Sequence, residues 1–244
     1  SNIGTLLVKG NNIESNQSLS GITMYLSDDS SISSAPTGGI IGNQINNNVG
    51  SNIDVTLNEN ATATLYIQDN NITGARAVAN STSTSLQGDG IYIELYDTAV
   101  MNNGGVIHNN ITGNARDGLN MHIVGNNDAG NINTIAAQVN NFVIGSTTTG
   151  QGNLFQNNGD DGLEISRAER GQFNNLLVQN NTFNSNIDDG MFINVAGASQ
   201  GNMLNLSPDT MDVNINRFTS NGGDGIEFRL EADADLLANL DQNV

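Results

Sequence analysis

The chain has 244 residues, a net charge of −18 and seven Lys and Arg residues in total. That balance argues against nucleic acid, whose binding rests on basic side chains neutralising phosphates, and against an anionic membrane surface; it admits divalent cations, basic partners and neutral glycans. With 36% hydrophobic residues, 28 glycines, no cysteine and no tryptophan, the chain can fill only a narrow core, forms no disulfide, and has no apolar stretch near the roughly 20 residues of a membrane span.

It starts Ser1-Asn2-Ile3, without an initiator methionine or signal peptide, and so reads as a mature or excised piece. The first unit centres on Ile13. Asn11 lies two residues before it, Asn16 three after and Val8 five before, with Gly21 one place out of register. A second unit repeats this about Ile45, with Asn43, Asn48 and Ile40, and with Asn52 seven residues after the anchor. The third centres on Ile72, with Asn70 and Ile67, but Ala75 replaces the second asparagine. A Ser/Thr-rich insertion from about Arg76 to Gln87 then delays its Asp89-Gly90. Ile111 anchors the fourth unit, with Asn109, Asn114, Val106 and Asp117-Gly118. Phe155 anchors the fifth, with Asn153, Asn158 and Asp161-Gly162, and Gly150 is the exception at the position five before. Phe183 and Phe218 anchor the last two, with Asn181, Asn186, Val178 and Asp189-Gly190, then Asn216, Asn221, Val213 and Asp224-Gly225. Beyond them Leu240 and Asn243 fall on the same grid, so the chain reads as stopping inside an eighth coil, as a fragment of a longer protein.

One unit recurring at spacings of 27 to 44 residues is a stacked repeat that forms a single cooperative array. Within the unit from Leu176 to Asn194, Leu176 and Val178 share one strand face, Asn181 to Phe183 form a second extended piece, and Met191 and Ile193 share a face again. The expected fold is all-β: a right-handed parallel β-helix, or solenoid, of about eight coils with three short strands per coil, spanning 1–244 as one domain. Right-handedness is what parallel crossovers prefer. Successive coils stack at about 4.8 Å, so the asparagine columns are expected to hydrogen-bond amide to amide. Gly and Asn alternate at the corner before the third strand, which predicts positive φ there. The long connectors, Gly125 to Gln138 and Ala196 to Asp209, are expected to be mobile and to overhang the third-strand face or its edge.

The run from Val143 to Phe155, followed by Asn158-Gly159-Asp160-Asp161-Gly162, resembles the repeat of bacterial right-handed parallel β-helix proteins of the pectate-lyase-like superfamily. The likeness covers most of the chain from about Ile40. It implies a secreted or surface protein and is specific for fold, not activity. The superfamily holds polysaccharide lyases, hydrolases, epimerases, adhesins and modules without an assigned reaction.

The first place to look for chemistry is the outward face of the third strand, where one row reads Asp54, Tyr92, Asn120, Glu164, Phe192, Glu227 and the next Thr56, Glu94, His122, Ser166, Asn194, Arg229. Tyr92, Glu94, His122 and Glu164 are the acid and base candidates for a uronic-acid glycan, with Asn120, Phe192 and Asn194 as substrate-binding candidates. No Lys or Arg is expected near this patch. The Asp-Pro-His motif of alginate-epimerase-like members of the superfamily is missing, and the favoured reading of this patch is an ordinary solvated sheet face, with the glycan site as its alternative. A second candidate is the aspartate column before the corner glycine. There Asp160, Asp161, Asp188 and Asp189 offer oxygen ligands to Ca²⁺, against a reading in which each Asp caps its own turn. The Ca²⁺ nonapeptide G-G-x-G-x-D is missing. His108 is expected to be a surface residue without a partner.

The functional expectation is an extracellular or cell-surface structural or adhesive module of a bacterial protein. Its expected partners are a polysaccharide or cell-surface glycan, or Ca²⁺, together with the rest of a larger parent chain, and not nucleic acid or a membrane interior. The rival expectation is a polysaccharide lyase or epimerase acting on uronic-acid glycans, in a groove walled by the insertions.

Overall fold

The computed structural model describes residues 2–17, 19–34, 38–78, 87–125, 136–197, 208–232 and 234–244. Among them lie 28 short strands in four all-parallel sheets and no helix. The chain is a parallel β-helix. The first-strand sheet has eight members, from Leu7–Lys9 to Leu236–Asp241. The second runs from Asn12–Glu14 to Arg217–Thr219 and the third from Ile22–Leu26 to Ile226–Glu231, with seven members each. A fourth sheet of six very short strands, from Asn2–Ile3 to Gln172–Asn174, fills the path back to the next coil. The repeat grid does not separate this row from the connectors. Each of its described strands after the first buries one apolar side chain (Ile32, Ala63, Met101, Val139, Phe173), and one residue carries no periodicity.

The core is a set of columns. Ile13, Ile45, Ile72, Ile111, Phe155, Phe183 and Phe218 pair one to one along the second sheet. Phe155, Phe183 and Phe218 stack nearly parallel with ring centroids 4.9 Å apart, the coil repeat itself. In the first sheet the column reads Val8, Ile40, Ile67, Val106, Ile144, Val178, Val213, Leu240. Ile144, not Gly150, holds the fifth place, because six extra residues lie between Gly145 and Asn153.

Two amide ladders run along the axis. In the first, the Oδ1 of each asparagine from Asn43 through Asn243 accepts both the backbone N–H and the side-chain N–H of its counterpart one coil back, at 2.9–3.1 Å. The second N–H of each side chain goes to a first-strand carbonyl, as in Asn70 to Ile40 at 2.8 Å and Asn153 to Val106 at 2.7 Å. Members from Asn43 to Asn216 are at most 2% exposed, and burial at that depth is tolerable because the ladder satisfies their amide groups. The second ladder links Asn16 to Asn48 and Asn114 through Asn158 and Asn186 to Asn221; Ala75 interrupts its register.

The corner before the third strand departs from expectation. Asn52, Gly118, Gly162, Gly190 and Gly225 do not have positive φ; the left-handed residues lie immediately before the asparagines of each ladder, as at Asp69, His108, Asn157 and Ser185. Glycine is required at the corner by close approach instead. A Cβ on Gly162 would meet the Gly190 carbonyl oxygen at 2.6 Å and the Phe183 ring at 2.7 Å. Gly21 joins this column despite its sequence offset, since a Cβ there would meet the Asn52 carbonyl oxygen at 2.8 Å. Most of both long connectors, 126–135 and 198–207, and of the Ser/Thr-rich insertion, 79–86, lies outside the described residues.

Candidate functional site

The third-strand rows form in the predicted register: Asp54–Tyr92–Asn120–Glu164–Phe192–Glu227 and Thr56–Glu94–His122–Ser166–Asn194–Arg229. Their middle is not a flat solvated face. Tyr92 is 1% exposed, Asn120 3% and Glu94 8%.

The sequence candidates separate into two groups. In the first, Glu94 is the hub. The Tyr96 hydroxyl donates to its Oε1, His122 Nδ1 lies 3.3 Å from the same oxygen, and Tyr92 also donates to the carboxylate. The Tyr96 and His122 rings meet edge to face, centroids 6.5 Å apart. Burial alone would raise the Glu94 carboxyl; the hydrogen bonds from His122, Tyr96 and Tyr92 outweigh it and hold the group below its ordinary value. Tyr96 is pushed up, first by burial and then by its bond to Glu94. A carboxylate held ionised beside a phenol held protonated stabilises a cluster well. Neither group is tuned toward the near-neutral range that proton abstraction favours.

The second group surrounds Glu164 and contains a cation that the sequence reading missed. Arg116 reaches over the outward face from the turn before the third strand. Its Nη2 lies 2.5 Å from Glu164 Oε2, its Nε 3.0 Å from Asp117 Oδ2 and 3.9 Å from Asp89 Oδ1, and its Nη1 donates to Gln87 at 2.6 Å. Asn120 donates to Asp117 and Glu164 at 2.9 and 2.6 Å. The expectation of no nearby Lys or Arg is therefore wrong. Arg116 shares a column with Asp160 and Asp188, because Asp160 N–H donates to the Arg116 carbonyl and Asp188 N–H to that of Asp160. One basic residue directly before Asp117, where Asp160 and Asp188 stand before Asp161 and Asp189, was the available signal.

Phe192 and Asn194 lie on the strand Met191–Ala196, three coils from Tyr92 and about 15 Å away at the coil repeat. Phe192 sits beneath the Arg229 guanidinium, 5.0 Å from ring centroid to Cζ. Asn194 keeps a buried Oδ1 without a hydrogen bond. These two side chains share no contact surface with the Glu94 cluster.

The aspartate column caps the following coil, not its own turn. Asp89 Oδ1 accepts Asp117 N–H at 3.1 Å, Asp117 accepts Asp161 at 3.1 Å, Asp161 accepts Asp189 at 2.8 Å, and Asp189 accepts Asp224 at 2.6 Å. Burial pushes Asp89 and Asp161 up to about 7 and raises Asp117 well above the usual carboxylate range. Stacked carboxylates add to this by mutual repulsion, which Arg116 offsets at Asp89 and Asp117.

Three acidic groups have ligand atoms within 4.8 Å of one another: Asp117, Asp161 and Glu164; Asp160, Asp161 and Asp188; and Asp189, Asp224 and Glu227. Oxygens converging on a hard cation at about 2.4 Å fall within twice that distance of one another, so these clusters, in which Asp188 and Asp224 are exposed and the other members buried or half-buried, could hold a metal ion. The expected quartet divides, for Asp189 groups with Asp224 and Glu227 and not with the other three. A cleft of about 260 Å³ opens among Asp160, Asp188, Glu164 and Phe192. Among the described residues no helix is long and apolar enough to cross a membrane. Compared with protein-family models, with curated proteins and with solved structures, the chain matches none.

Proposed function

We propose that the chain is an extracellular structural and adhesive module of a bacterial surface or secreted protein, braced by Ca²⁺ along its acidic edge. The observation that carries this reading is the amide ladder, unbroken from Asn11 to Asn243. It makes the stack stiff along its axis, as a spacer between a cell surface and a target needs. The likeness of the repeat to secreted β-helix proteins and the charge of −18 agree with a solvated surface role. Ca²⁺ is assigned to Asp160, Asp161 and Asp188, whose all-oxygen donor set suits a hard cation.

The test is twofold. Beads coated with the module should be retained on a glycan-bearing surface, and Ca²⁺ should raise the melting temperature relative to chelator, an increment lost in Asp188→Asn. Beads that wash off as freely as uncoated ones would remove the adhesive reading. Equal melting curves would remove the cation.

A second reading, a lyase or epimerase of uronic-acid glycans, draws on the meeting of Tyr92, Glu94 and His122 around one carboxylate. Electrostatics weigh against it. A uronate would enter beside Asp117, Asp161 and Glu164, and the Arg116 guanidinium is already shared among Glu164, Asp117 and Asp89. Release of unsaturated uronates from a polyuronate, lost in His122→Ala, would establish the enzyme.

A further inference from the structure

We propose that a polar groove on the second-strand sheet, remote from the acidic edge, binds a neutral, hydroxyl-rich glycan. The inference rests on the adhesive half of the reading above and gives it a place and a ligand class.

The floor is an outward row in register, Gln44–Asn71–Asn110–Leu154. Asn71 donates to Gln44 and Asn110 to Asn71, both at 2.7 Å. Unlike the buried ladders, this row faces outward; Gln44 and Asn110 are exposed and Asn71 is half-buried. An amide offers two donors and two lone pairs. The central amide of the row spends one donor and one lone pair on its neighbours, so it keeps one of each for a ligand. Presented at the coil spacing of about 4.8 Å, these remaining groups match hydroxyls, which both donate and accept.

One end of the groove is a charged corner. His108, expected to lack a partner, has Nδ1 2.7 Å from Asp69 Oδ1, the residue one coil back in its own column. Both side chains remain about half exposed, at 52% and 43%. Gln68 holds the other Asp69 oxygen at 3.0 Å. The facing wall is the segment inserted in the fifth coil. Gln151 N–H closes a turn on the Thr148 carbonyl at 3.1 Å, and Thr148 N–H is held by the Ser146 hydroxyl at 3.0 Å. Gly152 is packed so closely that a Cβ would lie 1.7 Å from the Asn180 carbonyl oxygen. Gly150 and Gly152 thereby wall a groove of about 540 Å³ against Asp69 and His108, within the range of small-molecule sites.

The lining selects the ligand class. Amides, one imidazole–carboxylate pair and one aliphatic side chain, Leu154, offer hydrogen bonds with a small apolar patch. No Lys or Arg lines it to receive a carboxylate or sulfate, and the chain's net charge of −18 repels polyanions. A neutral hexose or N-acetylhexosamine oligosaccharide fits these groups.

The experiment is titration of the whole chain with neutral gluco-, manno- and chito-oligosaccharides, alongside a uronate oligomer, by calorimetry. The variants are Asn110→Ala, Gln44→Ala and, as control, Thr219→Ala, at a row position outside the groove. Melting curves establish that each is folded. The expected result is binding of at least one neutral series, weakened about fivefold by Asn110→Ala or Gln44→Ala, since one hydrogen bond is worth about 1 kcal/mol, and unchanged by Thr219→Ala. Neutral binding that both groove variants leave intact overturns the groove and leaves the adhesive reading standing. Binding of no neutral series, or of the uronate alone, overturns the groove as well, and the bead assay then judges adhesion separately.

Discussion

Asn52 fills the gap that Ala75 leaves. Where the second ladder should carry an asparagine in the third coil, the Asn52 side chain reaches in from the corner of the second. It accepts from Asn48 Nδ2 at 2.8 Å and donates to Asn114 Oδ1 at 3.3 Å and to the Thr73 carbonyl at 3.1 Å. The two irregularities of the repeat, an Asn where corner glycines stand and an Ala where asparagines stand, are one compensated exchange. Asn52→Gly should therefore cost about 1–3 kcal/mol, because a buried N–H of Asn48 loses its acceptor and Asn114 Oδ1 keeps only the Ala75 N–H of its two donors. Ala75→Asn alone should also destabilise, by crowding Asn52. The double change restores the regular ladder and should come close to the native midpoint. A double-mutant cycle in urea reads this as strong coupling; simple additivity would refute it.

The buried acids make stability fall as pH rises. Asp89 and Asp161 titrate at about 7 and Asp209 at about 6 in the folded chain, all raised by burial from 3.8. A raised folded value means that the protonated form is favoured by folding. The contribution is full below about pH 4 and is lost as pH climbs through 6 to 7. In chelator, the melting temperature should fall between pH 5 and pH 8. Asp89→Asn should reduce that fall and raise the melting temperature at pH 8. The amide keeps an acceptor for Asp117 N–H and removes a charge whose Oδ2 has no hydrogen bond. A profile that is flat, or that rises with pH, would contradict this assignment.

Sequence made the axial architecture readable because stacking repeats each requirement at one position. A ladder needs Asn in every coil, and the core needs an apolar residue at Ile13, Ile45 and onward to Phe218. What repeats least was hardest to read. The fourth sheet buries single residues such as Ile32 and Met101. The fifth coil hides Ile144 behind an insertion. The corner glycines suggested a dihedral requirement, although the cause is packing against the next coil at Gly162 and Gly190. For the site, the grid placed Tyr92, Glu94, His122 and Glu164 in their rows. It could not assign Arg116, whose side chain crosses from a turn, nor pair His108 with Asp69, which are 39 residues apart.

Arg167 occupies the inward column between Ile123 and Val195 and is 2% exposed. Its Nη2 lies 2.7 Å from Asp209 Oδ2, a charge contact outside hydrogen-bond geometry, and its Nη1 donates to the Ala196 carbonyl at 2.7 Å. Asp209 Oδ1 accepts Phe173 N–H at 2.7 Å. Arg167→Met should cost about 3–5 kcal/mol, since it leaves a buried carboxylate without its counter-charge. Adding Asp209→Asn, which keeps the bond to Phe173 and removes the charge, should recover most of the loss. Equal stability of the single and double variants would show that cavity formation, not charge, sets the cost.

Among the described residues with positive φ, Ile215 alone is β-branched. It stands in the left-handed corner column with Gly10, Gly42, Asp69, His108, Asn180 and Gln242, at φ 56°. A β-branched residue is a genuine outlier in that region, where the Cβ crowds the following carbonyl. Deep burial does not offset the strain, for the residue is 47% exposed. The coil keeps the conformation because the Ile215 N–H bonds the Asp241 carbonyl at 3.0 Å and the next residue, Asn216, is locked into the first ladder. Ile215→Asn should thus stabilise the chain by about 1 kcal/mol, the lower end of the left-handed penalty for an L-residue. Ile215→Gly should gain less, because the unfolded chain becomes more flexible. The reading is the urea midpoint at unchanged m-value. An unmoved or lowered midpoint in Ile215→Asn would mean that the exposed side chain makes a contact worth as much as the strain it imposes.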